Sequence, residues 1–225
     1  MIKAILIDVD NTLLDFHLGS RVIMQQLFDE YNYPFTEEIY KTYIEVNDIL
    51  WAKYELGEVT REEIYATRWK TVFQKLEIGI DSAGFEAKYL EGLKTSAEKV
   101  EGADEIMAYL SSKYPVYVGS NATQERQELR LAKAGLTKYI SDIYTSEKLG
   151  ASKPSEEFFE ICLKNMGDLK PEEVMVIGDS ITADINGGRA CGMKTCWFNF
   201  EGTEVPEDLK TDFVVYNLHE IKSII

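Results

Sequence analysis

Residues 4–14 constrain the fold more than any other part of the chain. Ala4, Ile5, Leu6 and Ile7 form a continuous apolar run that breaks at once into Asp8, Val9, Asp10, Asn11 and Thr12. A short run without polar alternation suits a strand buried on both faces, the setting of a parallel sheet packed between helices. A strand that ends in two carboxylates delivers them to the carboxyl edge of such a sheet, where open α/β folds bind their ligands. Acids at i and i+2 are close enough to converge on one hard cation, and Mg2+ takes its ligands from oxygen.

The remaining sequence supports this frame. From Ser20 to Lys99 no convincing strand is read. Helices are expected over residues 20–31, from Thr36 to about Leu56, after a Thr60/Glu63 capping box, and over 84–97. An all-helical stretch of about 80 residues is too long to be a connection. The expectation is a helical cap domain, residues 17–98, inserted into a core made of 1–16 and 99–225. From Gly102 onward helices and strands alternate. Apolar runs at 116–118, 174–177, 195–198 and 213–215 read as strands, and 140–144 as a further short one. Helices are expected at 103–113, 123–134, 155–166 and 183–191, with a loop at 146–154. That alternation predicts an α/β fold, a Rossmann-like doubly wound parallel sheet.

Composition narrows the partners. With 24 Lys and Arg against 39 Asp and Glu, the net charge is −15. Affinity for a polymeric nucleic acid rests on clustered cations, so that partner is not expected, whereas a small anion remains possible where positive charge is supplied locally. No apolar run approaches the ~18 residues of a membrane span, and no signal-peptide pattern is read. Cys162, Cys191 and Cys196 are odd in number and lack further Cys or His partners for zinc, which fits reduced thiols in a cytoplasmic protein. The two histidines, His17 and His219, are too few for a His-based metal centre. Oligomeric state is left open.

Three strand ends carry polar clusters: Asp8 with Asp10, Ser120 with Asn121, and Asp179 with Asp184. Lys153-Pro154 lies between the second and third. Singly each has an ordinary reading: a turn or helix cap for D-x-D, a cap for Ser120 or Asp184, a solvated surface lysine for Lys153. Together, on one sheet edge, they suit phosphoryl transfer. One carboxylate can attack phosphorus, a second acid can protonate the leaving oxygen, Mg2+ can let two anions approach, and a lysine with small polar groups can hold the remaining oxygens.

In this order the clusters resemble the four motifs of haloacid dehalogenase superfamily phosphatases: Asp8-Val9-Asp10-Asn11-Thr12, Ser120, Lys153, and Gly178-Asp179-Ser180 with Asp184. The resemblance implies Asp8 as nucleophile and metal ligand, and Asp10 as general acid/base and, through its backbone carbonyl, metal ligand. It implies Ser120, Asn121 and Lys153 at the phosphate, Asp179 on Mg2+, and Asp184 as support for the metal site. The segment from Phe35 to Thr60, and Thr195-Cys196-Trp197 with Asn199 and Leu218-His219-Glu220, are similar to bacterial pyrimidine-preferring 5′-nucleotidases. Those enzymes usually have Thr-Asn-Gly where this chain has Ser120-Asn121-Ala122. The expected activity is hydrolysis of a small-molecule phosphomonoester, a pyrimidine nucleoside 5′-monophosphate above all. Trp51 and Tyr54 are placed either in helix packing or at the substrate. The alternatives are a sugar or small-metabolite phosphatase and a non-catalytic phospho-ligand binding module.

Overall fold

The computed structural model describes residues 1–225. In chain order its main elements are β1 (Ala4–Ile7), α1 (Phe16–Glu30), α2 (Glu37–Glu55), α3 (Arg61–Lys75), α4 (Ser82–Leu93), α5 (Ala103–Ser111), β2 (Val116–Ser120) and α6 (Gln124–Lys133). There follow β3 (Asp142–Thr145), α7 (Ser146–Leu149), α8 (Glu156–Asn165), β4 (Val174–Gly178), α9 (Gly187–Ala190), β5 (Lys194–Phe198) and β6 (Phe213–Val215). The chain divides into two compact units, Met1–Phe16 with Ala97–Ile225, and His17–Ser96.

The first unit is built on a six-stranded sheet of order β3-β2-β1-β4-β5-β6, every neighbouring pair parallel. All residues of β1 and β4 are buried, which is why both read as unbroken apolar runs. Side chains alternate between two layers. Ile5, Ile7, Val116, Val118, Met175 and Ile177 join one core cluster with Ile106, Leu110 and Leu131 of α5 and α6. Ala4, Leu6, Val174 and Val176 join another with Phe158, Phe159 and Cys162 of α8. Helices on both faces make the sheet doubly wound, the Rossmann-like architecture. Ile7 is in register with Val118 of β2 and Ile177 of β4, so Asp8, Gly119 and Gly178 leave the sheet level with one another.

Three segments of this unit differ from expectation. The stretch after β3 is not all loop: Thr145 Oγ1 accepts from Lys148 N and starts the short α7. The region 183–191 is not one α-helix but a wide turn, Ile181–Asn186, followed by α9. There Ser180 O accepts from Ile185 N at 3.2 Å, one residue further on than an α-helix allows, as the turn opens to fold Asp184 inward. At the end of the chain a helical turn, Leu218–Ser223, buries Leu218 and Ile221 and is capped by Asn217.

The second unit is all helical. Thr36 caps α2, and the Thr60/Glu63 capping box opens α3, with Thr60 Oγ1 accepting from Glu63 N at 3.1 Å and Glu63 Oε2 from Thr60 N at 2.7 Å. A cap of this kind stabilises a helix by about 1 kcal/mol. The α4 helix stops at Leu93 rather than 97, where the Thr95 hydroxyl turns back to the Gly92 carbonyl. The core is aromatic: Phe28, Tyr43, Trp69, Phe73, Phe85 and Tyr89 touch one another, with Trp69 and Phe85 ring centres 4.5 Å apart. Inside this core lies a buried polar chain. Arg68 pairs with Glu86 at 2.5 Å and donates to Asn47 at 3.0 Å, and the hydroxyls of Tyr43, Tyr89 and Ser20 are hydrogen-bonded in series. No helix of the protein is long and apolar enough to cross a membrane.

Candidate active site

The Asp8 end of β1 is extended by one bond, Asp8 N to Ile177 O at 2.8 Å, which fixes the backbone of the first acid against β4. The chain then wraps round the Val9 carbonyl, which accepts from Leu13 N at 2.9 Å and Leu14 N at 2.8 Å. This tight path needs a left-handed residue, supplied by Asn11 at φ 55°. Asparagine tolerates that conformation, and its side chain is used as well: Oδ1 accepts from Phe16 N at 3.1 Å at the start of α1.

Lys153 is not the solvated lysine of the ordinary reading. It is 3% exposed, and all three of its ammonium protons have acceptors: Asp8 Oδ1 at 2.6 Å, Asp184 Oδ1 at 2.6 Å and Gly119 O at 2.8 Å. Its loop is clamped by Asn121. The Asn121 side chain accepts from Lys153 N at 2.9 Å and donates to Lys153 O at 3.0 Å, so the predicted phosphate-side amide is committed to the lysine backbone. Ser120 is buried at the end of β2 and is not the cap of α6, which begins after Thr123.

Asp184 is folded onto the end of β4. A Cβ added at Gly178 would lie 2.2 Å from Asp184 Oδ2, so only glycine fits there. The same oxygen accepts from Ser180 N at 3.2 Å. Asp179 has its carbonyl held by Trp197 Nε1 at 2.8 Å, and Thr12 Oγ1 stands 3.5 Å from its carboxylate. Oxygens of Asp8, Asp179 and Asp184 all lie within 4.8 Å of one another. Three carboxylates so close, with one lysine among them, are under-neutralised. Burial first, then Asp184 and Asp10, push Asp8 up to about 8 despite Lys153. Burial, with Asp8 and Asp184, also holds Asp179 well above the usual carboxylate range. A purely oxygen donor set with excess negative charge fits a hard divalent cation.

Asp10 sits differently. Burial would raise its pKa, but the charges of Arg130 and Arg126, with hydrogen bonds from Arg130 and Gln127, outweigh it and hold the carboxyl below its ordinary value. The structure therefore joins Asp8, Lys153, Asp179 and Asp184 directly, and ties Asp10 and Ser120 together through α6. Trp51 and Tyr54 belong to the helical unit. They are half-buried, and their rings meet edge to face, centres 5.3 Å apart at 76°, not as parallel plates.

The family model of the haloacid dehalogenase-like hydrolases matches residues 2–192. The chain belongs to this family. Among curated relatives it is 32% identical to HAD-hydrolase YfnB of Bacillus subtilis, over 99% of this chain and 95% of that one. It is 29% identical to the pyrimidine 5′-nucleotidase PynA of Streptococcus pneumoniae, covering 97% and 93%, and 27% identical to the pyrimidine 5′-nucleotidase YjjG of Escherichia coli, covering 98% and 96%. The crystal structure of YfnB bound to magnesium, described as revealing interdomain movement, superposes with a TM-score of 0.93 at 30% identity over 99% and 98% of the two chains.

In this hydrolase the site residues that sequence reasoning missed are Gln127 and Arg130, and Trp197, noted in the sequence only for its resemblance, proves to hold the Asp179 carbonyl. Trp197 is opposite Gly178 in the β4–β5 register, which places its indole beside Asp179. Gln127 and Arg130 lie on a helix so polar that it reads as solvent-facing. Their one sequence signal is spacing: with Leu131 and Ala134 they recur at i, i+3, i+4 and i+7.

Proposed function

We propose that this hydrolase is a Mg2+-dependent phosphomonoesterase acting through an aspartyl-phosphate, with pyrimidine nucleoside 5′-monophosphates as its preferred substrates. The observation that carries the chemistry is the single buried lysine shared between Asp8 and Asp184, beside Asp179, with Asp10 two residues after Asp8 in the chain. An Asp8 carboxylate oxygen attacks phosphorus and the bond to the leaving oxygen breaks; Asp10, ionised in the substrate-free site, takes up a proton from solvent once the anionic substrate is bound and passes it to that oxygen. Asp10, now a carboxylate, takes a proton from water as the water oxygen attacks phosphorus, which frees Asp8 and releases inorganic phosphate. Asp8, the Asp10 backbone carbonyl and Asp179, supported by Asp184, are the groups that would hold Mg2+, which when bound would supply the positive charge that lets two anions approach. Lys153 and the Ser120 hydroxyl supply the remaining charge and hydrogen bonding to the phosphoryl oxygens.

The nucleotide assignment is supported by the names of PynA and YjjG, both matched along nearly the whole chain. The helical unit, inserted directly after the Asp8–Asp10 segment, is the part free to select a leaving group, and Trp51 and Tyr54 are its candidate base-contacting aromatics. The test is hydrolysis of p-nitrophenyl phosphate with Mg2+ and with EDTA, followed by a panel of nucleoside monophosphates and sugar phosphates. Turnover that requires Mg2+, with pyrimidine nucleotides at the highest kcat/KM and a larger loss for them than for p-nitrophenyl phosphate in Trp51→Ala, is expected. Higher kcat/KM for sugar phosphates would assign the metabolite-phosphatase reading instead. Absence of any turnover would leave a phospho-ligand binding module.

A further inference from the structure

The α6 helix buries three polar side chains, Arg126, Gln127 and Arg130, of which Gln127 at 0% and Arg130 at 1% exposure hydrogen-bond Asp10. The Gln127 amide donates one proton to Asp10 Oδ2 and the other to Ser120 Oγ, both at 2.8 Å. Its Oε1 accepts from Arg130 Nη1 at 3.1 Å, and the same guanidinium is paired with Asp10 Oδ1. The amide cannot be reversed, because Oε1 would then face the Asp10 carboxylate and the NH2 would face a guanidinium. One side chain thus bridges the ends of β1 and β2.

The consequence for Ser120 is a matter of counting. Its hydroxyl has two acceptor positions and one proton. One acceptor position is filled by Gln127 and the other by Ala122 N at 3.1 Å. Only the proton is left, so the hydroxyl is fixed as a donor, the polarity an anionic phosphoryl oxygen requires. For Asp10, Gln127 and Arg130 each hold one carboxylate oxygen, which sets the orientation of the whole group.

Resting on the phosphatase reading above, we propose that Gln127 is a positioning residue of the reaction, polarising Ser120 toward the phosphoryl group and, with Arg130, orienting Asp10 toward the leaving group. A residue that only filled the core would affect all substrates alike. A residue acting through Asp10 affects most those substrates whose leaving group needs a proton.

The test compares Gln127→Met with the wild type on p-nitrophenyl phosphate and on an alkyl phosphate, with saturating Mg2+. The expected result is a raised KM for both and a kcat loss about tenfold or more larger for the alkyl ester, within the span of general-acid contributions. The KM effect should disappear in a Ser120→Ala background, since coupled residues are non-additive. If Gln127→Met does not fold, Gln127→Asn, which keeps an amide but draws it back from Asp10 and Ser120 by one methylene, carries the same expectation. Equal losses on both substrates, or a KM effect that persists without the Ser120 hydroxyl, would overturn the proposal while leaving the phosphatase reading intact. A wild type that hydrolyses neither ester would overturn both.

Discussion

Asp8 and Asp10 are two residues apart in the sequence, yet their surroundings pull them in opposite directions. Asp10 is surrounded by cationic and amide donors, and its carboxyl is held below its ordinary value. Asp8 faces two other acids and is raised from 3.8 to about 8, first by burial. Without metal, the folded chain therefore keeps a proton on Asp8 that the unfolded chain releases above about pH 4. The linkage makes this group oppose folding progressively as pH rises from about 4 toward 8. Asp8→Asn, which has no charge to bury, should accordingly raise the Tm in EDTA, by more at about pH 8 than at about pH 5. A difference in Tm that is the same at both pH values would contradict the burial of an under-neutralised carboxylate. The sequence showed which acids were present and in what order. It did not show their opposed environments, because Arg130 and Gln127 lie more than a hundred residues downstream of Asp10, on a helix whose composition suggests solvent.

At the scale of elements, the strands were legible and the turns were not. A strand buried on both faces must be apolar at every position, so β1 and β4 stood out from composition alone. The wide turn at Ile181–Asn186 reads in the sequence as ordinary helix because its cause is a contact, Asp184 folded back on Ser180 N and against the bare α-carbon of Gly178. The boundaries of α1 and α4 shifted for similar local reasons, a side-chain acceptor from Asn11 and a back-bonding hydroxyl from Thr95. The turn makes a prediction. Gly178→Ala places a methyl where Asp184 stands, so the carboxylate must move away from Lys153. The variant should need at least about tenfold more Mg2+ for half-maximal activity, the low end of losses seen when groups supporting a metal site are removed. An unchanged Mg2+ requirement would show that Asp184 does not shape the metal site.

The whole molecule combines two units with different means of stability. The sheet unit rests on two apolar layers, one on each face of the strands. The helical unit sets its aromatic core around a fully buried ion pair, Arg68 with Glu86. Removing one partner leaves an uncompensated charge in a dry interior, at a cost of about 3–5 kcal/mol, whereas replacing both with apolar groups of similar volume costs far less. Arg68→Met should therefore lower the stability measured by urea unfolding by that amount, and Arg68→Met combined with Glu86→Leu should recover most of it. Additive losses in the double variant would contradict the pairing. Membership of the hydrolase family and the doubly wound sheet were already implied by the motifs, and the family match and the sheet order agree with them. What the chain order could not convey is how the motifs are wired: three protons of one lysine and two of one glutamine make the connections.

If Asp8 is the nucleophile, turnover passes through a phosphoryl group on its carboxylate, and that covalent species can be trapped. The protein is mixed with p-nitrophenyl phosphate and Mg2+, quenched in acid within the first turnover, digested and analysed by mass spectrometry. The expected result is a phosphoryl group on the peptide that contains Asp8, at that residue, formed at a rate no slower than steady-state turnover. Full turnover with no phosphorylated peptide at any quench time, or with the phosphoryl group on another residue, would contradict it.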